Sequence, residues 1–377
     1  MDRSHKLNLE LQALRGIAVL MTFFAHAPIA YPKLNMLGRL NLTSGVDIFL
    51  VISGFVIAGS LFPQLEPKRA TAERVRIVIA FWIRRAYRLL PASLFWALFL
   101  VLLAPFNASR SFGPPKLVAQ EFVSVLLYSK NIMEIYGLNF SMGPYWSLSL
   151  EEQFYLLLPF VVIVVPRLLT AELLVPLILI LSSSPTLLGS HYWFFRVGPL
   201  LLGILLYRMH QTDYASDFEP VFLRRRWASI AAMALLLFVA TVGSSWLKFF
   251  PGSMLYITIA SGALVFFASY QKKYLWLPRP ILAFFVWVGD RSFSLYVSHL
   301  PVILSVYEIY YRASGTFLKD APRAYSFAAM GLSLAIALVV ADLSYRWLER
   351  PYQLLGRWKA AEYLQARSRV RSHSELA

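Results

Sequence analysis

The chain has 377 residues, 58% of them hydrophobic and 15% charged, with a mean hydropathy of +0.58. A soluble domain of this length could not bury so much apolar surface, so the chain reads as an integral membrane protein. It has no cysteine, which excludes disulfides, thiolate metal sites and a cysteine nucleophile, and its net charge of +16 is spread between apolar segments rather than gathered in a nucleic-acid-binding tail.

About ten apolar segments of spanning length are predicted, over 12–31, 44–63, 78–105, 149–168, 171–188, 193–209, 227–247, 253–271, 284–310 and 325–347. With the N-terminus inside, the cytoplasmic side carries more than twice the Lys and Arg of the other side. That bias predicts an even number of spans and two cytoplasmic termini. The expected fold is all-α and polytopic, with a transmembrane domain over 1–352 and a basic cytoplasmic tail over 353–377. The tail reads as a surface helix followed by disorder.

The first segment contains "LQALRGIAVLMTFFAH" (11–26). "AHA" imitates a signal-peptide cleavage site, but Arg15 interrupts the apolar run and Pro28 follows the supposed cut, so an uncleaved helix is expected. Arg15 and His26 fall on one helix face, about 16 Å apart along the axis. Ionisable groups in spans avoid lipid, so this face should point into a bundle. The pair could hold an anionic ligand at one end and move a proton at the other; equally, it could be a snorkelling arginine and a histidine bonded to a neighbouring helix.

The second segment, "SGVDIFLVISGFVIAGSLF" (44–62), brings glycines suited to close helix packing, with Asp47 at its outer end. "FWIRRAYRLLP" (81–91) sets Arg84 and Arg88 on one face with Arg85 beside them. Clustered guanidiniums suit phosphate recognition, or they anchor the cytoplasmic end of a span. No carboxylate lies nearby in sequence to neutralise them. The long outer loop, 106–148, contains an apolar stretch over 116–129 that reads as interfacial or re-entrant.

"GPYWSLSLEEQFYLLLP" (143–159) opens a helix with Glu151 and Glu152. The helix dipole accounts for one acid, Ser147 and Glu151 have capping spacing, and adjacent positions point about 100° apart, so at most one acid should face a given site. "GDRSFSLYVSHLP" (289–301) adds Asp290 and Arg291 at a helix start and His299 about 12 Å further in. "ADLSYRWLERP" (341–351) reads as an ion-pair ladder, Asp342 to Arg346 to Glu349, closed by Pro351. The six histidines show no metal-ligand spacing, so no metal is expected.

Together these residues resemble the membrane acyltransferases of acyltransferase family 3. The Arg-x10-His pair of that family is matched by Arg15 and His26, and its "G-V-D-x-F-F-V-I-S-G-F" helix by 45–55, with Leu50 for the second Phe. Its arginine cluster is matched by Arg84, Arg85 and Arg88, and "W-S-L-x-x-E-x-x-F-Y" by 146–155. "L-Y-x-x-H-x-P" and "E-R-P" stand at 295–301 and 349–351. The resemblance implies ten or so helices in a bacterial cytoplasmic (inner) membrane that move an acyl group, usually acetyl from acetyl-CoA, to a sugar hydroxyl of a surface polysaccharide or glycolipid. It also implies a stand-alone form without the periplasmic hydrolase-like domain of many relatives.

On that resemblance, Arg15, Arg84, Arg85 and Arg88 are expected to contact the phosphates of an acyl-CoA that serves as co-substrate, with no tightly bound cofactor. His26 is the expected general base or acyl carrier. Glu151 or Asp47 would orient it or the acceptor, and His299 is held in reserve for the same tasks. The alternative reading is a proton-coupled transporter or export permease, which needs no acyl donor.

Overall fold

A computed structural model describes residues 8–34, 40–65, 69–137, 141–187, 194–243 and 253–374. Among them there is no strand. Lipid explains this: the hydrocarbon core satisfies no backbone hydrogen bond, so a spanning segment must satisfy its own. The helices are α1 (Leu9–Ala30), α2 (Ser44–Leu61), α3 (Thr71–Leu103), α4 (Pro115–Leu126), α5 (Lys130–Ile135), α6 (Tyr145–Val164) and α7 (Ala171–Leu187). They continue with α8 (Gly198–Met209), α9 (Arg226–Phe238), α10 (Ser253–Ser269), α11 (Arg279–Asp290), α12 (Ser292–Ser314), α13 (Arg323–Ser344) and α14 (Arg350–Ser374).

Six stretches are long and apolar enough to cross a membrane: Leu9–Ala30, Ser44–Gln64, Thr71–Phe106, Tyr145–Val164, Ser292–Ser314 and Arg323–Gln365. Against the ten expected, the described residues hold six helices of spanning length and four shorter apolar ones. The shorter set includes Gly198–Met209, 12 residues and about 18 Å of rise, well under the thickness of the hydrocarbon core. Much of its surface is met by protein instead of lipid. Gly54 on α2 and Gly203 on α8 face each other so closely that a Cβ on either would collide with the other helix's backbone. The predicted segment 284–310 is split, because α11 ends at Asp290 and α12 starts at Ser292. Residues 188, 193 and 244–247 of the predicted segments lie outside the described residues.

α1 starts at Asn8, whose side chain accepts from the backbone N–H groups of Glu10 and Leu11, both at 3.1 Å. The helix runs on through Ala25–Pro28, across the apparent cleavage site. It packs on α2 and crosses α11 at Gly16 and Gly289, where a side chain on either would strike the opposite backbone. α12 packs on α13, and α14 lies along α3. Large apolar side chains such as Leu102, Leu157 and Val164 face outward, as a lipid-facing surface requires.

The 106–148 segment holds α4 and α5, and the amphipathic α4 takes up most of its apolar 116–129 stretch. It folds around a buried Lys130, which reaches Glu121 at 2.9 Å and Glu134 at 2.7 Å. The last two helices correct the sequence reading. Pro351 does not end the helix, since a π turn over Tyr345–Glu349 joins α13 to α14, which continues to Ser374. The wider turn puts Pro351 in the first turn of a new α segment, where its missing N–H costs little. The tail through 374 is thus helical, and 375–377 lie outside the described residues.

Candidate functional site

One cavity of about 470 Å³ opens among α1, α2, α3, α6, α12 and α14. Its wall carries Arg15 from α1, Arg84, Arg85 and Arg88 from α3, and Glu151 from α6. Five of the eight residues singled out in the sequence therefore meet at one place, from segments up to 136 positions apart in the chain. The helical period explains the α3 contribution: Arg84 and Arg88 are one turn apart, and Arg85 faces the neighbouring helix.

The three arginines of α3 differ electrostatically. Arg85 donates from Nε to Glu152 at 3.2 Å, its Nη2 is 3.7 Å from Glu151, and its guanidinium lies 3.3 Å over the Tyr155 ring. Both adjacent acids thus serve one arginine, because a guanidinium is wide enough to span two side chains that leave the helix about 100° apart. The carboxylates missing from the local sequence are supplied by α6. Glu151 also accepts from Tyr155 Oη at 2.9 Å and Ser53 Oγ at 3.2 Å. Among the described residues, Arg84 and Arg88 form no ion pair, and the Nε of Arg88 is buried without a partner. Arg15 donates to Gln12 Oε1 at 3.3 Å. The cavity therefore keeps an excess of unpaired positive charge.

Glu349 is the nearest counterweight. It is 3% exposed, accepts from Ser294 Oγ at 2.8 Å and acts electrostatically on Arg88 and Arg15. The expected Arg346–Glu349 pair does not form, because the π turn rotates Glu349 inward. Arg346 pairs with Asp342 at 2.9 Å as its spacing suggests, and Arg291 reaches the same carboxylate at 2.6 Å. Ser147 is no cap either. α6 starts without a side-chain cap, and Ser147 Oγ lies 2.6 Å from Tyr296 Oη.

His26 and His299 do not line the cavity; they meet each other beside it. His26 Nδ1 is 2.9 Å from the Thr22 carbonyl oxygen and 3.1 Å from His299 Nε2, while His299 Nδ1 is 2.6 Å from the Tyr296 carbonyl oxygen. Carbonyl oxygens only accept, so with both rings neutral each Nδ1 carries the proton. Nδ1–H of His26 is then shared between Thr22 and His299, and Nε2 of His26 is left with its lone pair. His299 is 1% exposed, whereas His26 is half-buried, and no hydrogen-bond partner meets its Nε2 among the described residues. Tyr296 touches both regions: it lines the cavity, and its ring centre is 5.8 Å from that of His299.

Asp47 stands apart from the imidazoles. It is fully buried and accepts from Arg196 Nη1 at 2.9 Å, and Arg196 stacks on Trp146 at 4.9 Å. Arg196 was missed in the sequence, where the only sign is a lone arginine in "FFRVGP" (194–199). Tyr296 and Ser147 were legible as motif letters, without their contact. Among the described residues no three His, Asp or Glu side chains converge to hold a metal ion.

Similarity to known proteins extends along nearly the whole chain. The family model described as an acyltransferase domain matches residues 8–342. A peptidoglycan O-acetyltransferase, OatA of Listeria monocytogenes, is 25% identical over 94% of this chain and 57% of its own length. The O-acetyltransferase OatA of Staphylococcus aureus is 26% identical over 94% of this chain and 58% of its own length. The chain thus spans a little over half the length of these relatives. No solved structure matches it.

Proposed function

Since the chain belongs to the acyltransferase-domain family, we propose that it is a membrane O-acetyltransferase that moves an acetyl group from cytoplasmic acetyl-CoA to a sugar hydroxyl of the cell envelope. The name of the Listeria relative extends the candidate acceptors to peptidoglycan, beside the surface polysaccharides and glycolipids. The observation that carries the reading is the pairing of a cavity with unneutralised guanidiniums and a histidine whose Nε2 is free. The first suits a long polyanionic donor and the second suits removal of a hydroxyl proton.

In this reading Arg84, Arg88 and Arg15 hold the phosphates, while Arg85, clamped by Glu151 and Glu152, shapes the wall. The acceptor hydroxyl reaches His26 Nε2 and gives up its proton as its oxygen attacks the thioester carbonyl. A carbon–oxygen bond forms, the carbon–sulfur bond breaks, and the departing thiolate takes the proton back from the imidazolium, leaving an acetyl ester and coenzyme A. His299 accepts from Nδ1–H of His26, so it fixes the ring's tautomer and stabilises the imidazolium that forms, the task that a carboxylate performs in hydrolytic triads. In this reading the thioester passes Tyr296, which lines the cavity and lies against His299, to reach His26. Asp47, paired with Arg196, acts at most through the packing of α2.

The test uses the full chain in detergent with radiolabelled acetyl-CoA and a soluble glycan acceptor. Wild type should transfer label and His26→Ala should lose transfer by about 10²–10⁴-fold while eluting as the same monodisperse species. A fully active His26→Ala protein refutes the assignment of the base, and no transfer by well-folded wild type across acceptors refutes the donor.

A further inference from the structure

α14 lies beyond the 8–342 match and reads in the sequence as a basic tail, yet it closes one wall of the cavity through Gln353 and Arg357. The approach of this helix is fixed by Gly356. A Cβ there would sit 2.5 Å from the Cβ of Tyr87 on α3 and 3.6 Å from the Cα of Arg84. Ala360, one turn on, is fully buried. No larger residue permits this contact, and the contact sets Gln353 and Arg357 beside Arg84 and Arg88. Each pair is spaced by four residues, so the two helices present parallel polar edges, each about 6 Å long, to the same space.

No salt bridge among the described residues takes up the charges on these edges, and Glu349 reaches only Arg88 of them, electrostatically. Among the described residues Arg84, Arg88 and Arg357 make no ion pair, whereas Lys359, two residues on, pairs with Glu362 at 3.1 Å. Three unpaired guanidiniums around one cavity fit a ligand with several phosphates better than a single carboxylate.

We propose that α14 is part of the donor site, with Arg357 the outermost phosphate contact for a nucleotide thioester and Gly356 the residue that places it. The proposal rests on the acyl-CoA reading above. It assigns to the C-terminal helix a share in donor affinity rather than in chemistry, so substitutions there should raise KM for acetyl-CoA and leave kcat unchanged.

The experiment measures coenzyme A binding to the purified full chain by calorimetry, with adenosine 3′,5′-bisphosphate as a second probe. Arg357→Glu and Gly356→Val should each weaken binding about tenfold or more, Arg357→Lys less, and Lys359→Glu not at all. Gel-filtration profiles establish that each variant is folded; because Arg357 is exposed, its substitution tests the contact even if Gly356→Val unfolds the helix. Wild-type binding that Arg357→Glu leaves intact overturns the role of α14 and spares the donor reading. An equal loss in Lys359→Glu shows a bulk charge effect and also overturns it. Wild type that binds neither probe overturns both.

Discussion

Arg85 is held by two carboxylates from the next helix, and removing it should damage the protein more than removing either acid. The side chains are 16% exposed for Arg85, 17% for Glu151 and 9% for Glu152. At 3.2 and 3.7 Å and an effective dielectric of about 20, each attraction is worth about 4–5 kcal/mol before desolvation. Desolvation of three charges cancels most of that gain, so the net worth of the cluster is small. Its asymmetry is large. Arg85→Ala leaves two buried acids facing each other and removes the stack on Tyr155, at a cost of about 3–5 kcal/mol. Glu152→Gln leaves Arg85 paired with Glu151 and should cost about 1–3 kcal/mol. The triple variant Arg85→Met, Glu151→Gln, Glu152→Gln carries no unpaired charge and should recover most of the loss. The assay is the fraction of monodisperse protein that survives a heating series in detergent, with expected order wild type and triple variant, then Glu152→Gln, then Arg85→Ala. Arg85→Ala as stable as wild type, or a triple variant no better than Arg85→Ala, would refute the reasoning.

Other outcomes follow from single contacts. His299→Gln keeps an oxygen able to accept from His26 and should retain more activity than His299→Leu, with kcat falling more than KM rises; equal activities in the two variants would remove the positioning role. Burial pushes the carboxyl of Glu134, on α5, up to about 7 despite Lys130 beside it. A folded-state value above the ordinary 4.5 favours the protonated form, so its stabilising contribution is complete below about pH 4.5 and is lost as pH rises through 7. Glu134→Gln should flatten the melting temperature against pH in that window, and an unchanged slope would contradict this. Gly289→Val should abolish folding by driving α11 off α1, whereas Gly331→Ala, with open space around it, should be neutral or stabilising by up to about 1 kcal/mol; expression and gel-filtration profiles decide both.

Much of the site was legible because its chemistry is costly in lipid. Arg15, Arg84 and Arg88 stand out in apolar runs for that reason, and they do reach one cavity. The pairing was not legible. His26 and His299 are 273 positions apart, and Arg85 and Glu152 are 67 apart. Nothing local to either residue selects the partner, which depends on how α1 crosses α12 and α3 meets α6. Hydropathy likewise marks apolar segments without saying what surrounds them. An apolar window records that water is excluded, not whether lipid or protein excludes it, so Gly198–Met209 looks like a membrane crossing although it is too short for one. The π turn left no sign in composition, since one residue of extra winding changes no residue type.

That turn makes helical register, more than side-chain identity, the guarded quantity at the C-terminal end. The π turn takes up one residue more than an α turn and keeps the helices on either side in register. Were the same residues to wind as ordinary α-helix, everything downstream would turn by about 100°. Arg357 would then swing off the cavity and Gly356 off Tyr87, although every side chain would be unaltered. Deleting one residue within Tyr345–Glu349 removes the bulge and should leave both in place, whereas inserting an alanine between Arg350 and Gln353 should displace them.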